Sequence, residues 1–284
     1  MQEGASDGRT RVVATPDGRR LGVCVWGDPG GAPVFWLHGT PGSRLLREPG
    51  ASYADNHLRV FTYDRPGYGL STRVRGRRVV DVAFDVRTIA DAFGLEQFGV
   101  AGVSGGASAT LAAAALLPDR VSRCAIVVGP APVSAEGLDF YGGMDEESRA
   151  GWRHAIQGEV SLETDWQAMK DWLDDGMPGL EVSAGDRVML AEAFGESTRQ
   201  GSAGYVDDFL SLAGDWGLSL AAVQVPTRIM VARDDTSVPV AHGEWFARHL
   251  PRSELVYVDG GHFGPRDEAE EQLMTWVGHG KTSI

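Results

Sequence analysis

The stretch VAGVSGGASAT, residues 100–110, sets one serine, Ser104, between glycines where an apolar run gives way to an alanine-rich one. The first run has the length and composition of a buried strand, and the second has those of a helix. Residues 102–106 match the pattern G-x-S-x-G, which in this context places a serine hydroxyl on a sharp turn above a sheet. Side chains at the flanking glycine positions would collide with neighbouring elements. The stretch therefore predicts a strand-to-helix corner with an exposed candidate nucleophile.

Apolar runs on both sides of this corner predict an alternation of strands and helices. Before it, residues 10–28 predict a hairpin about the turn Pro16-Asp17-Gly18, PVFWL and LRVFTY predict buried strands, and VVDVAFDVRTIADAFG predicts a helix that stops at Gly94. After it, VSRCAIVV, PTRIMVA and SELVYV predict strands, and PVAHGEWFARHL and RDEAEEQLMTWVG predict helices. Such alternation indicates the α/β class, with a mostly parallel twisted sheet and helices on both faces.

The segment 131–215 differs from the rest of the chain. It has no strand-like runs, contains Trp152, Trp166 and Trp172, and holds 18 acidic against five basic residues, so it accounts for the whole net charge of −13. We therefore predict an α/β core formed by residues 1–130 and 216–284, with an inserted helical acidic cap at 131–215. We expect the tryptophans to pack in the interior of this segment and most of the acidic residues to lie on a face exposed to solvent. The alternatives are a pocket for an apolar group and attraction of a cationic substrate.

Composition argues against several classes of function. A net charge of −13 without clustered lysine and arginine argues against nucleic-acid binding. Metal-site spacings such as CxxC and HExxH are absent, and Cys24 and Cys124 lie in apolar runs where reduced thiols are common, so neither a metal nor another cofactor is expected.

Localisation and partners follow from the same composition. No run approaches the roughly 18 apolar residues of a membrane span, and the amino terminus lacks the apolar core of a signal peptide. We expect a soluble cytoplasmic protein that acts on a small molecule without a membrane or nucleic-acid partner. The sequence does not decide between a monomer and a homo-oligomer.

A serine hydroxyl needs a base within hydrogen-bond reach, and the base needs an acceptor that fixes its tautomer. Both should come from loops beyond the carboxyl ends of the strands, where open parallel sheets bind ligands. His262 follows the last predicted strand. His38 is the other histidine at this edge, but its loop is better suited to donate backbone N–H groups, so a structural role is expected for it.

Candidate acids follow two of the strands. Asp234 and Asp235 are adjacent after the strand RIMVA, and consecutive side chains leaving a strand point in different directions, so at most one faces the histidine. Asp259 is expected to be a strand-end or turn residue. The pattern alone leaves the choice between the adjacent pair open.

The chain order of Ser104, Asp235 and His262 resembles the order of nucleophile, acid and histidine in the α/β-hydrolase superfamily. The resemblance spans nearly the whole chain. It includes the loop HGTPG at 38–42, DRPGYG at 64–69, the glycine-flanked serine and DTSVP at 235–239. In the similar proline iminopeptidases and small esterases, the aspartate of a D-x-x-V-P run is the triad acid, which favours Asp235. The resemblance further implies that backbone N–H groups of Thr40 and Gly105 form an oxyanion hole. The DRPGYG segment is expected to be structural.

The resemblance implies a serine hydrolase in which Ser104 attacks an acyl carbon, His262 transfers the proton and Asp235 orients His262. A carboxylic ester is the expected substrate. An amide, an amino-terminal peptide or a carbon–carbon bond can be cleaved with the same residues, because specificity lies in the cap and pocket. Ser104 argues against epoxide hydrolases and dehalogenases of this fold, which use an aspartate nucleophile. A non-catalytic small-molecule-binding protein of the same fold is the alternative class, although every catalytic role is filled here.

Overall fold

A computed structural model describes residues 9–47, 53–180, 182–264 and 267–280. Outside these ranges lie residues 1–8, at the amino terminus where no signal peptide is predicted, and Arg266, the first residue of the last predicted helix. Within them, eight strands form one sheet: β1 (Thr10–Ala14), β2 (Arg20–Gly27), β3 (Ala32–Leu37), β4 (Leu58–Tyr63), β5 (Phe98–Val103), β6 (Val121–Val127), β7 (Thr227–Ala232) and β8 (Ser253–Val258).

The spatial order of the strands is β1-β2-β4-β3-β5-β6-β7-β8. The first hairpin and the β2–β4 pair are antiparallel, and every pair from β4 to β8 is parallel. This confirms the mostly parallel sheet. Leu37 at the end of β3 pairs with Gly102 near the end of β5, so the loop after β3 and the serine corner after β5 begin side by side.

Helices cover both faces of the sheet, as the alternation predicts. They are α1 (Val82–Ala92), α2 (Gly106–Leu116), α7 (Val240–His249) and α8 (Asp267–His279). Consecutive strand residues point to opposite faces, so Phe35 packs in one core cluster with α1, α2 and α7, and Val34 and Trp36 pack in another with α8. The small residues of α2 are buried from Gly106 to Ala115, which lets this helix lie close against β5 and β6.

The segment between β6 and β7 contains α3 (Glu146–Gln157), α4 (Glu159–Asp174), α5 (Ala184–Ser197) and α6 (Ala203–Ala213). Its described residues contain no strand, as the sequence predicts. Helices α3, α4 and α6 pack on one another through aromatic pairs such as Trp152 with Phe209 and Trp166 with Tyr205. We keep the name cap for residues 131–215. The division into a core and a cap domain remains a prediction.

Cys24 and Cys124 are both buried. In the part of the chain that the structure describes, no helix is both long and apolar enough to cross a membrane.

Candidate active site

Ser104 occupies the corner between β5 and α2 with a φ of +52°. This left-handed backbone conformation costs a residue with a side chain about 1 to 2 kcal/mol. The flanking glycines are required sterically, because a Cβ atom at Gly102 would lie 2.3 Å from the hydroxyl oxygen of Thr110, and one at Gly106 would lie 2.2 Å from the carbonyl oxygen of Leu37. The strained corner holds the serine side chain above the ends of the strands.

The structure brings Ser104, His262 and Asp235 together. The Nε2 atom of His262 lies 3.1 Å from Ser104 Oγ, and its Nδ1 atom lies 2.8 Å from Asp235 Oδ2. The other carboxylate oxygen of Asp235 accepts hydrogen bonds of 2.8 Å from the backbone N–H groups of Ser237 and Val238. Because the carboxylate can only accept, Nδ1 carries the ring proton, and the lone pair of Nε2 faces the serine hydroxyl.

The remaining candidates from the sequence lie outside this chain of hydrogen bonds. Asp234 is exposed, and its backbone N–H donates to the carbonyl oxygen of Gly260. The side chain of Asp259 is 95% exposed and lies 3.5 Å from Arg233. The two adjacent aspartates therefore have opposite orientations, since only Asp235 turns inward.

His38, the first residue of the loop at 38–42, is buried. Its Nε2 atom accepts the backbone N–H of Arg65 at 3.2 Å. A neutral ring therefore carries its proton on Nδ1, which donates to the carbonyl oxygen of Gly39 at 2.7 Å. Burial, together with the charge of Arg65, lowers the pKa of His38 well below its ordinary value. His38 is thus a neutral part of the loop, in keeping with the structural role expected for it.

Thr40 and Gly105, the predicted oxyanion donors, are neighbours. A Cβ atom at Gly105 would lie 2.4 Å from Thr40 Oγ1, and one at Gly39 would lie 3.4 Å from Ser104 Cβ. Within the described ranges, neither backbone N–H donates to a protein acceptor. Both groups are free to donate to an oxygen atom bound beside Ser104, and their catalytic role remains a prediction.

A cavity of about 670 Å³ lies above these residues. Ser104, Gly105, Thr40 and His262 line it together with apolar side chains, most of them from the cap: Trp36, Leu46, Trp152, Met169, Trp172, Leu180, Leu190, Phe194, Phe209 and Leu212. Trp152 packs against Phe209 and also lines the cavity. Trp166 packs against Tyr205.

Acidic cap residues also reach the cavity, namely Asp145, Glu147 and Asp165. Asp145 accepts hydrogen bonds from the backbone N–H of Ser148 and the hydroxyl of Thr236. Asp165 lies 2.6 Å from the Nδ1 atom of His154. Two of the three carboxylates are therefore already engaged within the protein.

The expectation of a solvated face does not hold for Asp207 and Asp208 of α6. Asp207 is buried against Arg73, and Asp208 is buried between Arg65 and Arg77. A signal in the sequence could have indicated this, because the two acids interrupt the otherwise apolar helix AGYVDDFLSLA. Acids in the middle of a buried helix require cationic partners.

No group of three or more metal-ligating side chains is present within residues 9–47, 53–180, 182–264 and 267–280.

Comparisons with known proteins agree with this architecture. A family model described as alpha/beta hydrolase fold matches residues 32–269. The 3-oxoadipate enol-lactonase 1 of Acinetobacter baylyi is 22% identical over 275 residues, which cover 95% of this chain and 97% of that protein. A proline iminopeptidase of Neisseria meningitidis is 23% identical over 264 residues, covering 83% and 84%. Among solved structures, an esterase from Exiguobacterium antarcticum has a TM-score of 0.73 at 22% identity, covering 94% of this chain and 98% of that one.

Proposed function

The chain belongs to the alpha/beta hydrolase fold family, and on that premise we propose that it is a serine hydrolase that cleaves a small-molecule carboxylic ester through an acyl-enzyme. The observation that carries this proposal is the hydrogen-bonded chain from Asp235 through His262 to Ser104, with distances of 2.8 and 3.1 Å. A serine hydroxyl paired with a base that is itself oriented by a carboxylate is the arrangement that activates a nucleophile.

In the proposed acylation step, Ser104 Oγ forms a bond to the acyl carbon while its proton passes to His262 Nε2. The carboxylate of Asp235 stabilises the imidazolium that results. The former carbonyl oxygen becomes negatively charged and accepts hydrogen bonds from the N–H groups of Thr40 and Gly105. The carbon–oxygen bond to the alcohol then breaks, and the alcohol leaves with the proton from His262.

Deacylation repeats these roles with water. His262 takes a proton from a water molecule, whose oxygen forms a bond to the acyl carbon. The same two N–H groups stabilise the second oxyanion, and each such donor lowers the barrier by about 3 to 4 kcal/mol in acyl transfer. Collapse breaks the bond to Ser104 Oγ, returns the proton to the serine and releases the carboxylic acid.

The lining of the cavity supports an ester with an apolar group. Trp152, Phe194, Phe209 and the leucines of the cap favour burial of hydrocarbon or an aromatic ring over a charged group. The similar protein from Acinetobacter baylyi is named an enol-lactonase, and a lactone is a cyclic ester. The cavity lining supports an apolar group on the substrate, and the name of the similar protein supports an ester as the bond that is cleaved.

An amide at a free amino terminus is the second candidate. Asp145, Glu147 and Asp165 reach the cavity, and a carboxylate there could pair with an ammonium group of the substrate. The similar protein from Neisseria meningitidis is named a proline iminopeptidase. The ester is preferred because Asp145 and Asp165 already have partners within the protein.

The proposal is tested by covalent labelling with a serine-reactive fluorophosphonate, followed by intact mass and peptide mapping. We expect one phosphonyl group on Ser104 in the native chain and none in a Ser104→Ala variant. Ser108→Ala is the matched control, since this neighbouring serine lies in α2 with its hydroxyl bonded to the carbonyl oxygen of Gly105, and it should keep the label. A native chain that is not labelled would favour a non-catalytic binding protein.

Substrate class is tested by comparing a short-chain aryl ester with an aminoacyl anilide. We expect the ester to be turned over with the higher kcat/KM. A higher kcat/KM for the anilide, lost on neutralising Glu147 by substitution with glutamine, would show the peptidase alternative to be the correct one.

A further inference from the structure

A buried cluster behind the loop at 38–42 joins the cap to the proposed oxyanion hole. At its centre is Asp208 of α6, which is 3% exposed. One carboxylate oxygen accepts hydrogen bonds from the hydroxyls of Thr40 at 2.7 Å and Tyr68 at 2.9 Å. The other accepts from Nε of Arg65 at 3.1 Å and from Arg77. Burial alone would raise the pKa of Asp208, but the guanidinium groups of Arg65 and Arg77 outweigh it and hold this pKa well below its ordinary value.

Arg65 connects this carboxylate to the loop backbone. Its guanidinium donates to Asp208 on one side and to the carbonyl oxygens of His38 and Gly39 on the other. The distance from Arg65 Nη2 to the Gly39 oxygen is 2.8 Å. One side chain thus fixes two consecutive carbonyl groups of the loop.

The Gly39 carbonyl belongs to the same peptide unit as the Thr40 N–H. In a planar trans peptide these two groups point in opposite directions. A donor that fixes the carbonyl on the buried side therefore fixes the direction of the N–H on the side of Ser104. Asp208 itself does not line the cavity, so any effect of this residue on the reaction is indirect.

We propose that Asp208 is a positioning residue of the cap that, through Arg65 and the Thr40 hydroxyl, holds the Gly39–Thr40 peptide in the orientation required for oxyanion binding. This inference rests on the proposed serine hydrolase function. Without the carboxylate, the positive charges of Arg65 and Arg77 are buried and uncompensated, and Arg65 and the Thr40 hydroxyl lose the acceptor that anchors them beside this peptide.

Asp207 offers a matched control on the same helix. It is also buried and pairs with Arg73 at 2.8 and 2.9 Å, but Arg73 retains contact with solvent, with 26% of its side chain exposed. Among the residues that the structure describes, neither Asp207 nor Arg73 forms a hydrogen bond with the loop at 38–42. Asp207→Asn therefore removes a cap-to-core ion pair without releasing the loop.

The experiment measures aryl-ester kinetics and inhibition by an aryl trifluoromethyl ketone, whose adduct with serine places an oxyanion in the hole. For Asp208→Asn we expect kcat/KM to fall on the order of 10- to 100-fold through kcat, KM to change little, and Ki to rise by the same factor as kcat/KM falls. For Asp207→Asn we expect changes below about threefold. Equal losses in the two variants, or a loss confined to KM, would overturn the proposal.

Two further measurements keep the proposal testable. If Asp208→Asn does not fold, Thr40→Val removes only one of the contacts of Asp208 and should lower kcat and raise the Ki by about tenfold. Crystal structures of the two aspartate variants would show the orientation of the Gly39–Thr40 peptide independently of any assay. An unmoved Gly39 carbonyl in Asp208→Asn would contradict the inference. A native chain that neither hydrolyses esters nor reacts with phosphonates would instead refute the proposed function, whatever the orientation of this peptide.

Discussion

Asp234 and Asp235 are neighbours in the chain with opposite surroundings. Replacing Asp235 by asparagine removes the charge that stabilises the imidazolium of His262 and allows the wrong ring tautomer, so kcat for an aryl ester should fall on the order of 10³- to 10⁴-fold. Asp234→Asn should leave kcat unchanged, because this carboxylate is exposed. Steady-state kinetics on both variants check the assignment. Similar losses in both, or a loss in Asp234→Asn alone, would show that Asp235 is not the acid.

For single residues, the sequence indicates which residue types lie at the edge of the sheet, but it does not indicate every contact between them. The serine corner, His262 and the aspartate pair can be found because each follows a predicted strand. The contact between Arg65 and Asp208 joins residues 143 positions apart. Asp208 lies on α6, in the segment for which the sequence predicts no individual elements. A pairing of this kind depends on how the cap sits on the core, which local patterns do not encode.

The absence of a side chain at Gly106 allows α2 to lie close to the sheet. A Cβ atom there would lie 2.2 Å from the Leu37 carbonyl oxygen, and this backbone atom cannot rotate away. Gly106→Ala should therefore lower the free energy of unfolding by about 1 to 3 kcal/mol. Gly195 in α5 is the control, because it is exposed and a Cβ atom there lies within 4 Å of nothing beyond its chain neighbours and the backbone of its own helix.

For Gly195→Ala, the lower entropy of the unfolded chain should raise the free energy of unfolding by about 0.5 to 1 kcal/mol. Urea denaturation of both variants measures the two signs. Stabilisation by Gly106→Ala would mean that α2 lies farther from the sheet than the structure indicates.

Among the elements, the strands and helices of the core were predictable, because each has one dominant period or a short apolar run. The cap helices were predicted only as a group. Helix α6 explains why, since it is buried on nearly every side, so its sequence has no polar face to mark its boundaries. Its two acids lower its apparent hydrophobicity, although both are buried against arginines of the core.

Over the whole molecule, the acidic charge of the cap is partly neutralised by the core. Besides Asp207 and Asp208, Glu196 pairs with Arg44, which also pairs with Asp64. The even balance of acids and bases outside residues 131–215 therefore conceals a group of arginines placed to meet cap carboxylates. Segment charge alone predicts an acidic surface and gives no indication of this pairing.

Buried ionisable groups also make the stability of the molecule depend on pH. Burial lowers the pKa of His242 from 6.5 to about 4. Between these values the unfolded chain binds a proton that the folded protein does not, so stability falls as the pH falls through this window. Asp85 acts in the opposite sense, because burial raises its pKa from 3.8 to about 6 and the folded protein then binds the extra proton. Comparison with a variant is needed to separate the contribution of His242 to the pH dependence of stability from that of Asp85.

His242→Asn supplies that comparison. The ring accepts the backbone N–H of Ala131 on Nδ1 at 3.1 Å and donates from Nε2 to the carbonyl oxygen of Phe140 at 3.1 Å, and the asparagine oxygen can replace the acceptor. Native protein should lose up to about 3 kcal/mol more stability than the variant between pH 6.5 and pH 4. Urea denaturation at several pH values measures this difference. Parallel pH profiles would mean that protonation of His242 does not oppose folding. A loss of stability in the variant that is already present at pH 8 reports only the missing hydrogen-bond donor.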